Sequence, residues 1–151
     1  MKHHKEDLKA TRSRQRIVVR VHSEIATSGI PKQLLGFAEE FRMPGQPVIQ
    51  PERFAEALHL RVQDLAKLAG VHRTTVTETP SNARLQRFLR EALRALSAAF
   101  DVTHDRDRSI FWFRNSPIPE FGHRTAETLV AEGKTDAVVA YLTSISAGSS
   151  G

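Results

Sequence analysis

The chain has 151 residues, no cysteine and a formal net charge of +5, with 40% hydrophobic and 26% charged side chains. That length holds one domain or two very small ones and can bury about two thirds of its unfolded surface. The absence of cysteine excludes disulfides, thiolate zinc sites and iron–sulfur clusters. No apolar run approaches the ~20 residues of a membrane span, and no charged start followed by an apolar stretch suggests a signal peptide, so a cytoplasmic protein with no membrane contact is expected.

The charge is unevenly placed. Residues 1–20 carry Lys2, Lys5, Lys9, Arg12, Arg14, Arg16 and Arg20 against Glu6 and Asp7, a surplus of five equal to the whole net charge. Residues 51–100 hold eight basic and five acidic side chains, and residues 101–151 hold five and seven. Phosphate attraction would therefore act on the tail and the middle of the chain. Residues 1–29 read as a basic flexible segment. Residues 1–16 are either a solvated leader or an arm that touches DNA. Ile17 to Val21 form either a short strand or a contact that orders the tail.

A helical pattern opens at Pro31, with Leu34, Leu35, Ala38 and Phe41 on one side. Met43-Pro44-Gly45-Gln46-Pro47 breaks it and is the best candidate for a boundary. Pro51 suits the first turn of the next helix, whose buried stripe is Phe54, Ala57 and Leu58. The stretch Val62 to Val76 then reads as a helix-turn-helix. Ala66 is small where two helices must cross closely, and Gly70 follows where the turn needs a positive φ. Leu65, Ala69, Val71 and Val76 occupy its apolar positions. Arg73, Thr74, Thr75 and Thr77 would face outward and, with Gln63 and His72, are the candidate DNA-contacting residues, because a short polar helix fits the major groove. Pro80 confines the second helix to about two turns, and His72 is a weaker N-cap than serine or aspartate.

After Pro80, Ser81 or Asn82 caps a long helix running to about Phe100. Its apolar positions, Leu85, Phe88, Leu89, Ala92, Leu93, Leu96, Ala99 and Phe100, recur every three and four residues. Arg84, Arg87, Arg90 and Arg94 line its other faces as a solvated surface or a contact to phosphate or a partner. Thr103 to Arg108 reads as a charged loop, followed by Ile110 and three adjacent aromatics, Phe111, Trp112 and Phe113. Asn115 to Gly122 is an irregular connector. Thr125 caps a helix with Ala126, Leu129 and Val130 that Gly133 ends. Thr135 caps the last, with Val138, Tyr141, Leu142 and Ile145 on one face and Gly148 as its stop.

Two patterns carry no chemistry. Gly133-Lys134-Thr135 lacks the glycine that a phosphate loop places five residues before the Gly-Lys pair, where Thr128 stands. His104, Asp105 and Asp107 lack a second ligand cluster. No catalytic residue, metal site or cofactor is expected.

The C-terminal third resembles the toxin-binding domain of the MbcA/ParS/Xre antitoxins. The resemblance lies in Trp112, the Asn115-to-Pro119 connector, Phe121-Gly122, Arg124 to Leu129, Gly133 ahead of Asp136-Ala137-Val138, Tyr141-Leu142, and Ile145-Ser146-Ala147-Gly148. It extends upstream through the helix-turn-helix to cover roughly residues 30–148. Phe121-Gly122-His123 departs from the family's doubled glycine, and Ala126 replaces its usual proline.

The resemblance implies a type II antitoxin. Such a protein neutralises a RES-domain toxin that consumes NAD by covering its active site, and it represses its own promoter as a dimer. The fold implied is all-α, a helix-turn-helix module over residues 30–100 and a small toxin-binding and dimerisation module over residues 101–151. Arg124, Ser146, Ala147, Gly148 and Ser149 would then contact the toxin, the last four as a narrow flexible end. Phe111, Trp112, Phe113 and Tyr141 would form the homodimer interface, with burial in the core the competing fate of Trp112. The alternative is a solitary dimeric helix-turn-helix regulator without a toxin partner.

Overall fold

The structure, a computed structural model, describes residues 39–42 and 45–149. The expectations for the basic tail, for Ile17 to Val21 and for the start of the helix at Pro31 lie outside the described residues. All described residues belong to one compact unit, Gly36–Gly151. Among them, seven helices of complete extent follow one another: α1 (Pro51–Ala57), α2 (Val62–Ala69), α3 (Arg73–Glu78), α4 (Ala83–Thr103), α5 (Arg106–Asn115), α6 (Ala126–Ala131) and α7 (Thr135–Ser149). A single 3-10 turn, Pro119–Phe121, lies between α5 and α6. The only extended pairings among the described residues are the isolated bridges Arg42–Ile49 and Ile118–Arg124. The described residues fold as an all-α unit, and no described helix is long and apolar enough to cross a membrane.

Helix α4 is the axis on which the others pack. The Asn82 side chain accepts hydrogen bonds from the Arg84 and Leu85 N–H groups and so satisfies two donors that the first turn leaves open. Leu85, Leu89, Ala92, Leu96 and Ala99 are fully buried along one face, and Leu93 and Ala95 widen it. A stripe this broad meets several neighbours, and α2, α5, α6 and α7 all lie against it. The helix runs past Phe100 to Thr103, where His104 turns left-handed at φ 54° and its N–H closes on the Phe100 carbonyl at 2.8 Å. Residue 100 is therefore inside a helix, and a single core continues from Phe41 to Leu142 across it.

The described residues on either side of Met43 and Pro44 are joined to each other and to the body. The Gln50 N–H donates to the Phe41 carbonyl at 2.7 Å, and Phe41 and Ile49 are both buried. The Phe41 and Phe54 rings meet edge-on at 5.8 Å, as do Phe54 and Phe88 at 6.4 Å. Phe54 in α1 and Leu58 just after it are buried as expected, but Ala55 takes the interior position and Ala57 is half-buried.

The expected loop from Thr103 to Arg108 shrinks to His104 and Asp105. Asp105 accepts a hydrogen bond from the Arg108 N–H at 3.0 Å and caps α5. Both residues of this acidic, histidine-bearing stretch thus have turn-forming roles. Thr125 caps α6 by accepting from the Thr128 N–H at 3.2 Å, as expected.

Two readings of α7 are corrected. Thr135 does not cap it: the residue lies within the helix, is buried, and its hydroxyl has no hydrogen-bond partner. Gly148 does not stop it, because the helix continues to Ser149. A buried hydroxyl left unpaired costs about 1–3 kcal/mol. The isosteric change Thr135→Val is accordingly expected to raise stability by about 1 kcal/mol, read as a higher urea midpoint at unchanged slope.

Candidate nucleic-acid interface

Helices α2 and α3 are joined by a turn that fixes their angle. Gly70 sits at φ 67°, ψ 36°. Its N–H donates to the Lys67 carbonyl at 3.2 Å, and the Val71 N–H donates to the Ala66 carbonyl at 3.0 Å. This doubled closure is the Schellman arrangement, which needs a left-handed residue at that position, where glycine has no Cβ penalty. Leu65, Ala66, Ala69 and Val76 are buried on the inner side, and Val71 is half-buried. Arg84 of α4 braces the turn from behind, donating to the Gly70 carbonyl at 3.2 Å.

With Val76 anchored, helical geometry sends the polar residues of α3 outward. Arg73, Thr74 and Thr77 are exposed and Thr75 is half-buried. Gln63, near the start of α2, and His72, just before α3, are also exposed. The His72 ring makes no capping bond to the helix backbone, its Nδ1 lying 3.1 Å from the Thr74 hydroxyl. The Thr77 hydroxyl donates to the Thr74 carbonyl at 3.2 Å. Arg73 has no hydrogen-bond or ion-pair partner among the described residues. At the start of α2, Arg61 grips Asp64 at 2.7 Å. That hydrogen bond is the main reason the Asp64 carboxyl sits below the usual range.

The C-terminal candidates separate. The Arg124 guanidinium donates to the Phe121 carbonyl at 3.0 Å and pairs with Glu132, whose carboxyl it holds below the usual range with help from Lys134. Ser146, Ala147, Gly148 and Ser149 form the last turn of α7, with Ser146 half-buried and the others exposed. The expected narrow, flexible end is helical here.

The aromatic triplet lies on one helix, so its members point in different directions about 100° apart. Phe111 is 65% exposed, Trp112 is half-buried and Phe113 is completely buried. Phe113 therefore has no surface to offer a second subunit, which corrects its assignment to the dimer interface. Tyr141 is half-buried, its ring edge-on to Phe121 at 6.1 Å. Ile145, one turn further along α7, is exposed.

Sequence reasoning missed the connection between the two halves. Arg114 of α5 pairs with Glu127 of α6 at 3.0 Å and donates to the Leu58 and His59 carbonyls at 2.7 and 3.2 Å. Burial pushes the Glu127 carboxyl above its ordinary value, and the Arg114 charge pulls the other way. No spacing rule links positions so far apart in sequence. Among the described residues no group of acidic or histidine side chains is placed to hold a metal ion. No protein-family model, curated protein or solved structure matches this sequence.

Proposed function

We propose that the chain is a type II antitoxin that autoregulates its operon. In this reading α2, the Gly70 turn and α3 are a helix-turn-helix that reads promoter DNA, with Arg73, Thr74 and Thr77 toward the base edges and Gln63 toward the backbone. The helices α5, α6 and α7 engage a RES-domain toxin and a second copy of the chain. The observation that carries the DNA half is Arg73, exposed and unpartnered among the described residues on a helix whose angle is fixed by Gly70. An arginine in that position has all its donors available for a guanine edge. The toxin half rests on the family resemblance of residues 112–148.

Fluorescence anisotropy with a duplex from upstream of the chain's own gene tests the first half. Arg73→Ala is expected to weaken binding by about 1–3 kcal/mol, roughly 5- to 150-fold, and to relax preference at one base position. Equal affinity of wild type and variant for this duplex and an unrelated one overturns it. Co-expression with an adjacent RES-type toxin tests the second half: rescued growth and a co-purifying complex are expected, and failure of both removes the inhibitor role.

A second reading, a solitary dimeric regulator, is favoured by two observations. The segment Ser146 to Ser149 is helical, and the Arg124 guanidinium is engaged with Glu132. The cheapest discriminator is whether a toxin reading frame lies beside the gene.

A further inference from the structure

An open groove of about 590 Å³ runs between the last turn of α2, the first half of α4 and the end of α6. Its lining is mostly apolar, made by the half-buried Leu68 and by the outer edges of Phe88 and Val130, which are otherwise buried in the core. Three cations, Lys67, Arg84 and Arg87, line the side formed by α2 and α4. None of them has a carboxylate at salt-bridge distance among the described residues. Arg84 reaches only the neutral Gly70 carbonyl. The two carboxylates that also line the groove are satisfied within the chain. Glu91 lies 3.4 Å from Arg94, a guanidinium it shares with Asp136 at 2.6 Å, and Glu132 pairs with Arg124 and with Lys134, the latter at 3.3 Å. The groove thus presents a positive edge that no salt bridge closes, Lys67 feeling the Asp64 charge only at longer range, beside an apolar floor.

We propose that this groove docks an acidic amphipathic segment of a partner protein. Its carboxylates meet Lys67, Arg84 and Arg87, and its apolar side chains lie on Leu68, Phe88 and Val130. The charge complementarity selects an acidic occupant, since opposite potentials steer encounter and fix register. The apolar floor selects a polypeptide over a nucleic-acid backbone, because phosphates gain nothing from Leu68 or Val130, and Glu91 and Glu132 would stand against them. An amphipathic helix laid in a groove is a general recognition mode of this kind.

The test uses the full chain and a short fluorescein-labelled peptide with leucines at helical spacings of three and four and glutamates between them, read by anisotropy at low and moderate salt. The wild type is expected to bind it. The double change Lys67→Glu with Arg87→Glu is expected to weaken binding by about tenfold or more, and a lysine–leucine peptide is expected to bind that variant instead. Both positions are exposed and unpaired, so folding is expected to survive; Lys67→Glu alone, with a smaller loss, serves as the second variant. Replacing the peptide's leucines by serines is expected to weaken binding to the wild type. The proposal is overturned if the wild type ignores the acidic peptide or if charge reversal leaves its affinity unchanged. It is also overturned if the serine peptide binds as well as the leucine one, or if charge reversal abolishes duplex DNA binding while sparing peptide binding, which would make the cations a phosphate track.

Discussion

Replacing Gln86 by leucine is expected to lower stability by about 2–4 kcal/mol, although the change puts an apolar residue of similar size into the interior. The Gln86 side chain is buried on α4 and reaches the chain ahead of α1 with both ends of its amide. Its oxygen accepts from the Ile49 N–H at 3.0 Å. Its nitrogen donates to the Ile49 carbonyl at 2.7 Å and to the Pro80 carbonyl at 2.8 Å. One amide therefore pairs the side of Ile49 that faces away from its bridge to Arg42 and ties down the turn that feeds α4. Leucine would strand the buried Ile49 donor and acceptor, and each unpaired group costs about 1–3 kcal/mol, less whatever water recovers. Urea unfolding at constant slope is the measurement. A loss below about 1 kcal/mol would mean that the segment of residues 45–50 re-pairs elsewhere on removal of the amide.

The second large effect contrasts neighbours on α5. Phe113→Ala is expected to cost about 3–5 kcal/mol, the transfer of a buried ring plus the cavity it leaves. Phe111→Ala, two positions away, is expected to change monomer stability by no more than about 0.5 kcal/mol, because that ring is already mostly in water. The same change is expected to shift self-association toward the monomer if the outer side of α5 forms the dimer contact, a reading that sedimentation across a concentration series checks. Comparable destabilisation by the two changes would place both rings in the interior and leave α5 without an outer aromatic surface.

These cases mark where the sequence was legible. The apolar spacing of α4 predicted its buried face almost residue for residue, because a helix repeats every 3.6 residues and a stripe of Leu, Phe and Ala at three and four is local information. Asn82, Thr125 and Gly70 were readable for the same reason: a cap or a left-handed turn is decided within a few residues. The six residues of α3 followed from Pro80. The candidate DNA face was legible because Val76 fixes which side of α3 is inside, and its polar neighbours then have nowhere to go but out.

The failures share one cause. Phe111, Trp112 and Phe113 are all large aromatics suited to burial, and the sequence does not say which direction the core lies from α5 until α4 and α6 are in place. Thr135 and Gly148 are ordinary punctuation marks in sequence, yet α7 takes Thr135 as its first helical residue and passes Gly148, where packing against α4 outweighs a weak local preference. The charged run at 103–108 looked like a loop because its polarity is high, and Asp105 turned out to be a cap. The sequence by itself determined that the described residues are helical, where most of their helices begin and end, and which side of α3 is polar. Only the tertiary structure decided that Gln86 serves Ile49, that Arg114 joins α5 to α6 and to the turn after α1, and that three cations share one groove, because each is a meeting of segments whose separation along the chain carries no local signal.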